Sequence, residues 1–164
     1  MEKTLKVLNG LEESGVISRY AIGGAIAATF YVESVVTFDL DIFILLPTKG
    51  NLLTLEPIYT ALRRRGYAPK GEFVMIEGVP VQFLPAHNTL LEEALTEAVS
   101  QDYGKTKTRV LTAEHLLAIA LQTGRPKDRD RVRLLFKLKG LDRKSLSGIL
   151  KRHRLEKRMK EWQS

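Results

Sequence analysis

The spacing of apolar residues along this chain changes between a helical and a strand-like period. Leu5, Leu8 and Leu11 recur every three residues between charged positions, which predicts an amphipathic helix over 3–13. Further along, runs of β-branched and aromatic residues broken by glycine and proline are typical of strands and turns. In this part of the chain we expect a strand over 19–22, a helix of small residues over 25–32, a strand over 35–46, a helix over 52–65, and a hairpin of 72–76 and 79–84.

From residue 88 onward the pattern is helical. We expect helices over 90–99, 112–123 and 128–139, and a last one after residue 142. This order predicts an α+β fold, in which a mixed or antiparallel sheet of about four or five strands is flanked by helices and followed by a C-terminal helical bundle. We therefore divide the chain into a core over 1–87 and a basic helical region over 88–164 that packs on it.

The length and composition are those of one cysteine-free globular domain, or of a small domain with a helical extension. The chain has 164 residues, of which 44% are hydrophobic and 27% charged, as in folded proteins. No run reaches the roughly 18 apolar residues of a membrane span, and charges break the apolar positions of the N-terminus, unlike in a secretory signal. Without cysteine there is no disulfide or thiolate metal site, and we expect a cytoplasmic protein with no membrane partner.

The net charge of +7 is concentrated in the C-terminal third, where basic residues far outnumber acidic ones from Arg125 onward. Such an excess favours a polyanionic partner such as RNA, because bound phosphates release counterions. Two alternatives stay open. The basic helices can be a solvated face without a partner, or they can dock an acidic protein.

Two carboxylates stand inside the strongest predicted strand, in the sequence TFDLDIFIL. Side chains alternate in a strand, so Asp39 and Asp41 point to one face, roughly 6–7 Å apart, while Leu40 faces the other way. Such a pair binds a cation, takes up a proton or faces water. Hard oxygen ligands favour Mg²⁺ or Mn²⁺, and Mg²⁺ commonly joins carboxylates to the phosphates of a nucleotide.

Two adjacent glycines connect the predicted strand over 19–22 to the helix that follows it. Gly23 and Gly24 would expose backbone N–H groups at the start of this helix, where missing side chains let a phosphate approach. A strand, a glycine turn, a helix and a strand with Asp-x-Asp together predict a phosphate-binding turn beside a metal site.

The stretch IGGAIAATFYVESVVTFDLDIFI resembles the signature of the nucleotidyltransferases of the DNA polymerase beta superfamily. Within it, the double glycine, Thr37 two residues before Asp39, and the later segment TAEHLLAIALQTGRPKDRDRVRLL are similar to the minimal bacterial nucleotidyltransferases related to AbiEii-type toxins. The resemblance covers most of 19–135. It implies Mg²⁺-dependent transfer of a nucleoside monophosphate from an NTP to an acceptor hydroxyl, and a toxin–antitoxin role by analogy alone.

The resemblance also implies roles for single residues. The implied catalytic metal ligands are Asp39 and Asp41, and the implied nucleotide-binding residues are Gly23, Gly24, Thr37, Arg125 and Lys127, with Asp128 as a further candidate. Two positions depart from the family's pattern. Val35 stands where the family usually has an arginine, and Gln82 stands where a third carboxylate is expected, although an amide brings no charge to a second metal ion.

Gln82 leaves three alternatives open. One Mg²⁺ carried by the triphosphate is sufficient, or Glu72 or Glu77 reaches the site from the hairpin, or the chain binds nucleotide or nucleic acid without turning it over. The favoured hypothesis is a transferase that modifies an RNA end, such as a tRNA-like acceptor held by the basic C-terminal helices. The alternative is a non-catalytic nucleotide- or nucleic-acid-binding protein on a degenerate nucleotidyltransferase fold.

Four other polar residues have both a functional and a structural interpretation. His87 after the last predicted strand and Lys49 in the turn PTKGN are candidate site residues, although loop residues of this kind are commonly just solvated. His115 lies on a predicted helix and is expected to be a packing or surface residue. Asp128 is expected to cap a helix.

Overall fold

The computed structural model describes residues 1–33, 37–47 and 54–163. Within these ranges the helices are α1 (Glu2–Glu13), α2 (Gly24–Ala28), α3 (Glu56–Arg64), α4 (Thr89–Thr96), α5 (Ala113–Thr123), α6 (Asp128–Phe136), α7 (Arg143–Arg152) and α8 (Glu156–Gln163). The strands are β1 (Arg19–Ile22), β2 (Leu40–Leu45), β3 (Pro69–Lys70), β4 (Phe73–Ile76), β5 (Val79–Pro85), β6 (Val99–Tyr103) and β7 (Thr106–Val110). None of the helices in these ranges is both long and apolar enough to cross a membrane.

The strands form one mixed sheet in the order β3-β4-β5-β2-β1-β7-β6. β1 and β2 are antiparallel, whereas β2 pairs with β5 and β1 pairs with β7 in parallel. The remaining pairs, towards the two edges, are antiparallel. The expected α+β class with a mixed sheet is confirmed, but the described chain has a seven-stranded sheet rather than the four or five strands expected.

The second half of the chain is not purely helical, and this corrects the prediction for the region after residue 88. Helix α4 ends at Thr96, and the hairpin of β6 and β7 follows and joins β1 at the sheet. The buried face of β7 carries two threonines, Thr106 and Thr108, and a single apolar residue, Val110, and β6 is largely exposed at the edge. Because neither strand shows apolar alternation, periodicity could not distinguish this hairpin from a helix.

The elements predicted before residue 88 are present, with shorter bounds in several cases. α1, β1 and the hairpin of β4 and β5 agree with the expected ranges, and β3 adds a short strand to that hairpin. β2 begins at Leu40, so Asp39 lies just before the strand rather than in it. Val35, Lys49 and the start of the helix expected over 52–65 fall outside the described residues.

Helices cover both faces of the sheet. On one face, Tyr20 of β1 lies opposite Ile44 of β2, and its hydroxyl donates a hydrogen bond of 2.6 Å to Asn9 Oδ1 of α1. On the other face, Phe43 of β2 lines a cleft together with Leu91 of α4 and residues of α5. The alternation of β2 therefore sends Ile42 and Ile44 into the core beneath α1, and it turns Asp41 and Phe43 towards the later helices.

The C-terminal helices pack around α5, as expected for a helical bundle. The Thr112 side chain caps α5 by accepting a hydrogen bond from the His115 amide, and Gly124 ends it in the left-handed conformation at φ 73°. α5 contacts α4, α6 and α7, and α7 contacts α8. The short connection after Gly124 returns the chain so that the first turn of α6 stands beside the open edge of the cleft.

Candidate functional site

A cleft of about 520 Å³ lies between the sheet and the helices α4 to α6. Its lining combines apolar residues with a few polar and charged ones. The sheet contributes Asp41, Phe43, Gln82 and Leu84, the glycine turn contributes Gly24, and the helices contribute residues that include Leu116, Ile119, Gln122, Arg125 and Arg131. A concave cavity with apolar lining residues and a few convergent charged groups is the usual form of a small-molecule site.

The glycine turn fits directly against the aspartate strand. The Gly23 amide donates a hydrogen bond of 2.9 Å to the Asp41 carbonyl, and Gly24 has φ +59°. A Cβ atom on Gly24 would overlap the carboxylate of Asp41, and one on Gly23 would overlap the ring of Phe43. Both positions therefore need glycine because of close approach, and Gly24 also needs it because of its backbone conformation.

Asp41 is the carboxylate that points into the cleft. Burial raises its pKa above the ordinary value, whereas the positive charges of Arg125, Arg131 and Lys127 lower it. The negative charge of Asp39 acts in the same direction as burial, so the two carboxylates lie within electrostatic reach of one another. Asp39 itself is exposed at the residue before β2.

Gln82 lies beside Asp41. The two residues are direct partners in the parallel pairing of β2 with β5, and both line the cleft. Residues paired in register on neighbouring strands point to the same face, so the position expected for a third carboxylate carries a neutral amide. The structure therefore places Gln82 next to Asp41, while its correspondence to a third carboxylate of the nucleotidyltransferase signature stays a prediction.

Neither of the two glutamates considered as substitutes lines this cleft. Glu72 is exposed in the turn between β3 and β4, and Glu77 occupies the turn between β4 and β5 with φ 52°. The carboxylate of Glu77 accepts a hydrogen bond of 2.5 Å from the Tyr67 hydroxyl. The alternative in which one of them completes the site has no support in the described structure.

A buried carboxylate holds two arginines at the rim of the cleft. Asp128 has no exposed surface, and its oxygens lie 2.8 Å from Nε of Arg125 and 3.2 Å from Nη1 of Arg131. Lys127, not Asp128, occupies the N-cap position of α6, and no side chain caps this helix. The capping role expected for Asp128 was therefore wrong, and its role is to bind both guanidinium groups.

The other predicted site residues differ in how close they come to Asp41. Lys127 is exposed but near enough for its charge to lower the pKa of Asp41. Thr37 is partly buried before β2 and is not among the residues that line the cleft. His87 does line it, as an exposed loop residue with Nδ1 3.2 Å from the Pro85 carbonyl, so both of its interpretations stay open.

Arg131 and Gln122 are cleft residues that sequence reasoning did not single out. A signal existed for Arg131, because Arg125, Asp128 and Arg131 recur at intervals of three, which brings side chains together along one side of a helical segment. Gln122 gave no such signal. It lies at the end of α5, where its side-chain oxygen accepts a hydrogen bond of 2.9 Å from Asn88 Nδ2.

A second cluster of polar side chains joins α4, α5 and the end of α7. Glu93, Glu97 and His115 bring their ligand atoms within 4.8 Å of one another, so they could hold a metal ion. His115 is buried, as the packing interpretation expected, with Nδ1 2.8 Å from the Thr112 hydroxyl. Hydrogen bonds from Arg152 and from the two histidines nearby hold the pKa of Glu93 at about 2, so this carboxylate already has partners within the protein.

No protein-family model matches this sequence, and no curated protein matches it. Solved structures do match the fold. The crystal structure of an antigenic nucleotidyltransferase-like protein from Paracoccidioides brasiliensis aligns with a TM-score of 0.59 at 15% identity, over 96% of this chain and 92% of that one. The chain has a nucleotidyltransferase-like fold.

Two structures of the antibiotic-resistance factor ANT(2'')-Ia share this nucleotidyltransferase-like fold. The crystal structure in complex with adenylyl-2''-tobramycin aligns with a TM-score of 0.56 over 93% of this chain and 94% of that one, and the solution structure aligns with a TM-score of 0.53 over 94% and 93%. Both are 15% identical to this chain. These likenesses show the nucleotidyltransferase-like fold, while the superfamily, its AbiEii-like branch and the role of each residue stay predictions.

Proposed function

We propose that this protein transfers a nucleoside monophosphate from an NTP to an acceptor hydroxyl in a Mg²⁺-dependent reaction. The acceptor hydroxyl releases its proton to water as its oxygen bonds to the α-phosphorus, the bond from this phosphorus to the bridging oxygen breaks, and pyrophosphate leaves. In such reactions the protein acts mainly by positioning the reactants and neutralising charge. The cleft volume of about 520 Å³ lies within the range of small-molecule sites.

The observation that carries this proposal is the contact between Gly24 and Asp41. It brings the glycine turn, with its open backbone, against the carboxylate that faces the cleft. Arg125 and Arg131 stand on the other side of the same cleft and are held there by Asp128. A site that joins a carboxylate to two guanidinium groups suits a triphosphate that carries its own divalent cation.

Asp39 and Asp41 are the residues that would hold Mg²⁺ or Mn²⁺. Their oxygens are hard ligands, and Asp41 is partly buried with a raised pKa, so a neighbouring cation would favour its ionised form. When bound, the ion supplies charge neutralisation at the triphosphate. Thr37, two residues before Asp39, would contact the nucleotide, as the resemblance to the nucleotidyltransferase signature implies.

For the acceptor, we favour an RNA end over a small polycation. Several basic side chains of the C-terminal helices already make contacts within the protein. Arg143 stacks on Phe136 at 3.9 Å, Arg152 binds Glu93, and Arg158 donates to backbone carbonyls at the end of α5. Among the described residues, the exposed basic side chains without an ion pair in this region include Lys137, Lys139, Lys144, Lys151 and Arg154. They remain available for phosphates.

The charge of the cleft supports the same choice. The structure of ANT(2'')-Ia named above contains adenylylated tobramycin, and tobramycin carries several amino groups. In the described cleft of this chain, Asp41 is the one lining carboxylate, against Arg125 and Arg131. Such a lining suits an anionic acceptor better than a polyamine. An RNA acceptor also agrees with an AbiEii-like branch, for which a toxin role would follow by analogy alone.

Calorimetric titration of ATP, CTP, GTP and UTP, with and without Mg²⁺, tests this proposal. Wild type should bind at least one NTP in a metal-dependent way, and the Asp39→Asn/Asp41→Asn variant should lose that binding. Asp130→Asn/Asp142→Asn is a matched control that removes two carboxylates from the C-terminal helices. Loss of α-³²P label transfer to RNA in the first variant alone would support catalysis. If folded wild type binds no NTP, the proposal is wrong.

A second candidate function is nucleotide or nucleic-acid binding without turnover, and Gln82 is the observation that favours it. The amide beside Asp41 cannot accept a proton from an acceptor hydroxyl as a carboxylate does. This candidate predicts metal-dependent NTP binding with no label transfer to any acceptor. It also predicts that RNA binding persists in the Asp39→Asn/Asp41→Asn variant, because the basic helices are unchanged.

A further inference from the structure

The carboxylates that face the cleft are too few for a pair of divalent cations. Two such ions about 3.5–4 Å apart repel strongly and require several anionic ligands around them. Among the described residues that line the cleft, Asp41 is the one with a carboxylate, and Asp39 is exposed two residues earlier, near enough for its charge to raise the pKa of Asp41. Gln82 offers a neutral oxygen at the position next to Asp41. The glutamates of the nearby hairpin turns do not line the cleft.

Positive charge is instead supplied by the protein. Arg125 and Arg131 both line the cleft, and both influence Asp41 electrostatically. The fully buried carboxylate of Asp128 binds both of them, one through Nε and the other through Nη1. A guanidinium held in this way keeps further N–H groups for phosphate oxygens. The side chain of Arg131 is only 18% exposed, which limits the other conformations that it can adopt.

We propose that this site holds a single divalent cation on Asp39 and Asp41, and that Arg125 and Arg131 supply at the triphosphate the positive charge that a second cation would supply. This inference rests on the proposed nucleotidyl transfer and gives the number of metal ions and the role of each arginine. Gln82 is then a residue that keeps the second cation out, since replacing a carboxylate by an amide removes one negative charge.

The number of metal ions can be counted by electron paramagnetic resonance of Mn²⁺, with the α,β-methylene analogue of the NTP that binds best. Wild type should hold one Mn²⁺ per chain, with the spectrum of an isolated ion. Gln82→Glu should hold a second Mn²⁺ and show the spin coupling of two close ions. Gln101→Glu, which adds the same charge on the distant strand β6, is the matched control and should hold one.

The role of the arginines needs a separate measurement. Arg131→Met should weaken binding of the Mn²⁺–analogue complex roughly ten- to hundredfold, the usual effect of removing a charge-assisted hydrogen bond to phosphate, with the metal count unchanged at one. Arg133→Met is the matched control on the same helix. Arg133 is exposed and pairs with Asp130 instead of lining the cleft, so its replacement should leave the affinity unchanged.

The outcomes separate this inference from the proposed function. Two coupled Mn²⁺ ions in wild type would overturn the single-cation site while leaving nucleotidyl transfer intact. One ion in Gln82→Glu would overturn the role given to Gln82, and unchanged affinity in folded Arg131→Met would overturn the role of that arginine. If wild type binds neither the analogue nor Mn²⁺ with it, the proposed function itself fails, and the single-cation site fails with it.

Discussion

The carboxylate of Asp41 fills the space that a Cβ atom on Gly24 would need. Two segments that are well separated along the chain are thereby packed so closely that only glycine fits between them. The contact also explains why the double glycine and the Asp-x-Asp pattern occur together in this chain. Each motif is common by itself, but in this fold the first makes room for the second.

Gly24→Ala should remove metal-dependent NTP binding, because the new methyl group overlaps the carboxylate of Asp41 and the backbone has φ +59°. Gly15→Ala is the matched control, since Gly15 has φ +73° and open space around it. We expect the control to lose about 1 kcal/mol of stability from backbone conformation alone and to keep NTP binding. Urea unfolding with calorimetric NTP titration measures both. Equal binding by the two variants would contradict this.

Asp128→Asn should lower both stability and nucleotide affinity, because two guanidinium groups lose their shared buried partner. Since Arg125 can turn towards water, we expect a loss of about 2–3 kcal/mol, below the largest effects seen for broken buried pairs. Asp130→Asn removes an exposed carboxylate that pairs with Arg133 at 3.6 Å, and it should change stability by less than about 0.5 kcal/mol. Urea unfolding measures the stability of both variants, and similar losses of stability in the two would contradict this prediction.

Glu93 predicts a pH dependence of stability. Hydrogen bonds from Arg152, His153 and His115 hold its pKa at about 2, below the ordinary value of about 4.3. The folded state is therefore favoured above pH 4.3, and this contribution is lost as the pH falls through about 2.

Glu93→Gln should accordingly be less stable than wild type by about 1–2 kcal/mol at pH 7, after allowance for screening by solvent, and the difference should shrink as the pH falls towards 2. Glu92→Gln, an exposed neighbour on α4, serves as the control and should behave like wild type. Urea unfolding between pH 2 and 7 gives the comparison. A difference that stays constant over this range would show that the charge of Glu93 is not its cause.

If the basic helices bind RNA, Lys139→Gln/Lys144→Gln should reduce the slope of log K against log salt. Each single-strand phosphate that the protein no longer neutralises lowers the magnitude of that slope by roughly 0.7, so about 1.4 is expected for two. Lys3→Gln/Lys6→Gln removes the same charge from α1 and should leave the slope unchanged. Filter binding of a single-stranded RNA oligonucleotide at several salt concentrations measures this slope. Equal slopes in both variants would show that Lys139 and Lys144 do not contact the RNA.

The predictions that succeeded concern residues near one another in the chain. The glycine turn, the alternation that turns Asp41 away from Leu40, the glycine stop of α5 and the hairpin of β4 and β5 all follow from local backbone preferences. The prediction failed at β6 and β7, where threonines face inward and the edge strand is exposed. It also failed at Asp128, where a position at a helix start suggested a cap, but the partners are Arg125 and Arg131, three residues before and after it.

The sequence by itself determined the fold class, the glycine turn and the strand that carries Asp41. Turns and strand alternation depend on a few adjacent residues, and a local pattern is enough to predict them. Only the tertiary structure decided that β5 is the strand beside β2, which brings Gln82 next to Asp41, and that α6 returns to bring Arg131 to the same cleft. Such contacts depend on which surfaces can be buried together. They bring Asp41 next to Gln82 and Arg131, which lie 41 and 90 positions further along the chain and are not related to it by any local sequence pattern.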